Sequence, residues 1–84
     1  MGPATLLAVG RALLVAVGGA TVFGRDGALR IVAEELVAAV ERQDFEVARA
    51  MIRNMQREHR IAFEAFVAKY GDQLPPEFRR EVEG

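Results

Sequence analysis

At 84 residues the chain holds one small domain at most, and a core that thin calls for cover from a partner, a membrane or a second copy. It has no cysteine, which excludes a disulfide framework and a thiolate metal site. Its net charge of −1 exerts no overall pull toward nucleic acid or an anionic surface.

The charge is unevenly spread. Residues 1–24 contain one charged side chain, Arg11, whereas residues 25–84 contain ten basic and twelve acidic ones. The composition therefore divides the chain into an apolar segment, 4–23, a turn at 24–27 and a water-facing segment, 28–84. Arginine outnumbers lysine ten to one, which points to a GC-rich bacterial or phage coding sequence.

Residues 4–23 come first. Twenty residues of helix reach about 30 Å, the thickness of a bilayer's hydrocarbon core, so the expectation is a membrane-spanning helix. Ala4, Ala8, Ala12, Ala16 and Ala20 form a row at spacing four, with Leu6, Leu7, Leu13, Leu14 and Val17 on the other side. Small residues in such a row let helices approach closely inside a membrane. Arg11 lies at the edge of this row and is expected at a protein contact, its guanidinium carried toward the N-terminal interface. The alternative for residues 13–23 is a short β-hairpin turning at Gly18-Gly19.

Residues 28–42 read as an amphipathic helix. Leu29, Val32, Ala33, Leu36, Val37 and Val40 make the apolar stripe, and Asp26 is the expected N-cap. Glu34 and Glu35 are adjacent and point about 100° apart on a helix, so they do not form a facing acid–base pair. Gln43-Asp44 is a break, with Asp44 as the next N-cap. The turn from Glu41 to Glu46 resembles the inner turn of a tetratricopeptide hairpin, but no repeat at that period follows, and no function is carried across.

Phe45 to Tyr70 reads as one long helix stopped by Gly71 at the C′ position. The short connection makes it an antiparallel neighbour of the helix before it. Met51, Met55, His59, Phe63 and Phe66 fall on its apolar face, as core or as a partner contact. His59, the only histidine, is expected buried at a helix–helix or subunit contact. Arg49, Arg53, Arg57 and Arg60 form a stripe, either solvated or in contact with anions. Pro76 suits the first position of a final short helix bearing Phe78 and Val82.

The fold class is therefore all-α: a hydrophobic, membrane-spanning helix, an antiparallel helical hairpin and a short C-terminal helix. No catalytic, cofactor or metal site is expected. The glycine spacing of residues 19–26 imitates a phosphate loop without its Lys and Ser/Thr. The chain has no serine, and neither Thr5 nor Thr21 has a base nearby in sequence. The expected role is a non-catalytic structural or assembly subunit of a larger bacterial or phage complex. Its expected partners are other protein subunits, itself included, and the lipid bilayer, but not nucleic acid. Arg25, Arg30 and Arg42 after the span, against Arg11 and the amino terminus before it, lean toward a cytoplasmic C-terminal domain as the expectation. The alternative is a soluble, cytoplasmic, all-helical homo-oligomeric interaction module.

Overall fold

The computed structural model describes residues 1–18 and 27–83. Five α-helices account for nearly all of them: α1 (Pro3–Gly18), α2 (Gly27–Glu41), α3 (Phe45–Glu58), α4 (Arg60–Tyr70) and α5 (Pro76–Glu83). No strand occurs among the described residues.

Helix α1 starts at Pro3, whose fixed φ and missing N–H suit a first helical position. It is 16 residues long, about 24 Å. Among the described residues no helix is long and apolar enough to cross a membrane. Nor does α1 stand apart from the rest. Leu6, Val9, Leu13, Ala16 and Val17 are buried in one core with side chains of α2 to α5. The cause is apolar area: those five side chains on one face are removed from water by the rest of the chain itself. The alternative β-hairpin is not found in the part of 13–23 that is described, because Leu13 to Gly18 are helical; residues 19–23 lie outside the described residues.

Helices α1 and α2 pack antiparallel. Gly10 sits against Leu36 and Val37, while Arg30 Nη2 donates to the Val17 carbonyl at 3.2 Å. A Cβ at position 10 would lie 2.9 Å from Val37 Cγ2, so glycine is what allows the approach. The α2 stripe behaves as its periodicity predicts, with Leu29, Ala33, Leu36 and Val40 buried and Glu34, Glu35 and Ile31 exposed. The expected cap Asp26 lies outside the described residues.

The break at Gln43-Asp44 is present, with a different chemistry from the one expected. The Asp44 N–H donates to the Ala39 carbonyl at 2.8 Å and the Gln43 N–H to the Val40 carbonyl at 3.0 Å. Gln43 is left-handed, with φ 63°. This is a Schellman stop, which satisfies the last carbonyls of α2. Asp44 occupies the N-cap position of α3, but its side chain makes no capping hydrogen bond.

The expected long helix from Phe45 to Tyr70 bends at His59, where φ is −122° and ψ is 47°. The His59 N–H still donates to Met55 O at 2.9 Å and its carbonyl accepts from Phe63 at 2.8 Å, so the interruption is a single residue. Neither proline nor glycine marks it. Beyond the bend, Phe63 meets Phe78 of α5 edge-on at 6.1 Å and Phe66 at 6.4 Å, an aromatic cluster shared by α4 and α5.

Gly71 is right-handed (φ −55°, ψ −38°), not a left-handed C′ residue. The chain runs on through a 3₁₀ turn, Gly71–Gln73, and stops at extended Leu74. The stop comes from Pro75, which disfavours a helical conformation in the residue before it. Pro76 then opens α5, which folds back with Phe78 fully buried.

Candidate interaction surface

Most of the residues read as a docking surface on the long helix are core. Met55, Phe63 and Phe66 are buried, and Met51 is half-buried against the same cluster. His59 is half-buried at the bend rather than enclosed. These side chains hold α3, α4 and α5 together, and only the tertiary fold reveals that α1 and α5 supply their cover.

The arginine stripe is divided by the bend. Arg49 is half-buried and donates to the Met1 carbonyl at 3.3 Å. Arg60 pairs with Glu64 at 3.1 Å across one turn of α4. Arg53 and Arg57 remain exposed on α3. Four arginines in one continuous row are therefore not what the fold presents.

Of the alanine row, Ala16 is buried, Ala8 and Ala12 are half-buried, Ala4 is exposed, and Ala20 lies outside the described residues. Within the chain, the close helix approach is made by Gly10 and not by this row. Arg11 is exposed. Ala4, Ala8, Arg11 and Val15 fall within about 60° of one another on α1, on the side away from the core. Val15 is 67% exposed, and on α2 Ile31 is 57% exposed. The outer surface of the α1–α2 pair thus carries two large aliphatic side chains, beside alanines and Arg11 on α1 and beside Glu34 and Glu35 on α2. Its seam opens into a cleft of about 300 Å³ lined by Leu14, Val17, Gly18, Arg30 and Glu34.

A second cleft, about 450 Å³, lies between α3, α4 and α5. Phe63, Val67, Ala68 and Val82 line it, with Gln56, Arg60 and Glu64 alongside. Gln56 Nε2 donates to the Val82 carbonyl at 3.5 Å. Two of its three polar residues are occupied with each other, as the Arg60–Glu64 ion pair, which leaves an apolar notch without convergent polar groups.

Electrostatics concentrate where α5 meets the start of α1. The Thr5 hydroxyl donates to Glu77 Oε2 at 2.7 Å and the Gly2 N–H to Oε1 at 3.1 Å. The Met1 ammonium lies 3.6 Å from Glu77 and 3.4 Å from Glu81. The Thr5 hydrogen bond, helped by that ammonium and by the Gly2 N–H, holds the Glu77 carboxyl below its ordinary range against the opposing effect of desolvation. The arrangement ties α5 to α1. A carboxylate satisfied in this way is a fastener and not a base, since its proton affinity is lowered.

No group of three or more His, Asp or Glu side chains among the described residues is placed to hold a metal ion. No protein-family model matches the chain, and neither a curated protein nor a solved structure does.

Proposed function

We propose that the chain is a non-catalytic structural or assembly module that works by presenting a helical face to other protein subunits. The observation that carries this reading is the outer α1–α2 surface, where Val15 and Ile31 are more than half exposed on neighbouring helices. Leaving such side chains part-exposed forgoes roughly 1–2 kcal/mol each, which a protein contact recovers. The sequence points first to a membrane-anchored subunit. Against that reading, the larger side chains of α1 are spent on this chain's own core, which favours a module bound through protein.

A photo-crosslinking residue at position 15 of the full chain, in the cells that encode it, tests the reading. Discrete protein adducts are expected from position 15 and none from exposed Gln73 on the far turn. Adducts with lipid alone would install the membrane-anchored reading instead. Absence of adducts from position 15 would overturn the proposal.

A further inference from the structure

We propose that the partner of the outer α1–α2 face is a second copy of this chain, held about a two-fold axis with Arg11 of each copy against Glu35 of the other. The inference rests on the reading of that face as a protein-contact surface, and it names the occupant.

The argument is one of register. The contacts of Gly10 with Leu36 and Val37, and of Arg30 with the Val17 carbonyl, fix how two antiparallel helices lie side by side. Counting away from them in opposite directions, Arg11 stands level with Glu35, Val15 with Ile31 and Ala8 with Ala38, to within about one residue's rise of 1.5 Å. Arg11, Val15, Ile31 and Glu35 are all exposed, and both alanines are half-buried. Among the described residues the ion pairs found lie elsewhere, at Met1 with Glu77 and Glu81 and at Arg60 with Glu64.

An isologous interface must be complementary to itself. Take a two-fold axis along the α1–α2 seam, parallel to both helices. It lays α1 of one copy over α2 of the other and leaves every height unchanged. The arginine then meets the opposite charge and the valine meets the isoleucine. Each pairing occurs twice. A face with Arg11 on one helix and a level carboxylate on the next supplies both halves of its own complement. A wholly foreign partner would need neither the matched heights nor the matched signs. An exposed ion pair adds little affinity by itself, so the aliphatic contact supplies the binding and the charges set the register.

Sedimentation equilibrium of the full chain at about 100 μM is expected to give twice the 9.2 kDa of one chain. Arg11→Glu and Glu35→Arg should each weaken the dimer at least about tenfold, because like charges then face each other at two places, and the combined variant should restore it. Circular dichroism on each variant checks that the helices remain. The chain has no cysteine, so a second measurement is clean. A Val15→Cys chain mixed with an Ile31→Cys chain should form a mixed disulfide on oxidation. A strictly monomeric wild type, dimers indifferent to either charge reversal, failure of the combined variant to recover, or absence of the mixed disulfide would each overturn the inference. Heteromeric adducts from position 15 together with a monomeric wild type would leave the interaction reading standing and remove only the self-pairing.

Discussion

Gln43 should be the easiest place to stabilise this protein. It is exposed and its backbone is left-handed, at φ 63°, in the Schellman stop of α2. That conformation costs an L-residue about 1–2 kcal/mol because Cβ crowds the following carbonyl, and glycine escapes the cost. Gln43→Gly also loosens the unfolded chain, at about 0.4–1 kcal/mol. The net expectation is a gain of about 0.5–1 kcal/mol. For 84 residues at about 2.1 cal/mol/K each, that raises Tm by roughly 3–6 °C. Differential scanning calorimetry on the wild type, Gln43→Gly and Gln43→Val resolves this. The valine variant should fall below the wild type, since a β-branched side chain tolerates positive φ worst. Asp44→Ala in the same turn should cost less than the roughly 0.5–2 kcal/mol of a lost cap, because the Asp44 side chain caps nothing. An unchanged or lowered Tm for Gln43→Gly would show that the turn is not a strained left-handed stop.

Two further substitutions probe how α1 is held. Gly10→Ala gains roughly 0.8–1 kcal/mol of helix propensity. It also forces a Cβ to 2.9 Å from the stiff Val37 side chain, an overpacking cost of about 1–3 kcal/mol. Urea titration should therefore show net destabilisation of about 0–2 kcal/mol in the wild type and stabilisation in a Val37→Ala background; a stabilised single variant would mean that the seam has room. At Glu77 the folded carboxyl titrates below its ordinary value, so its contribution is present above the unfolded pKa and is lost as pH falls through the folded one. Thr5→Val, which deletes the hydrogen bond to Glu77, should flatten the decline of Tm between about pH 5 and 3. Identical profiles for the two proteins would disconnect Thr5 from Glu77.

Much of the fold is written locally. The stripe from Leu29 to Val40 repeats at helical spacing against charged residues, so its buried face follows from the pattern. Pro75 and Pro76 end one helix and begin the next by their own geometry. The break at Gln43-Asp44 is also local, although the order of residues pointed to a side-chain cap and the backbone supplied a left-handed stop instead. Three features are not local. In α1 nearly every residue is apolar, so periodicity carries almost no information about which side faces inward. The choice was made by Gly10, the position where Val37 leaves no room for a Cβ. The same choice turned Arg11 outward and put the larger aliphatic side chains of α1 into this chain's own core. The bend at His59 has no sequence mark, neither proline nor glycine, and the contact beyond it joins Phe63 to a ring of α5, fifteen residues further along the chain. The candidate interface is the clearest case. Arg11 and Glu35 are unremarkable on their own helices, and their equal height exists only because α1 and α2 lie antiparallel in one particular register. Spacing along a chain determines the faces of single helices; the distances between faces come from packing, where a single missing methyl group sets the alignment.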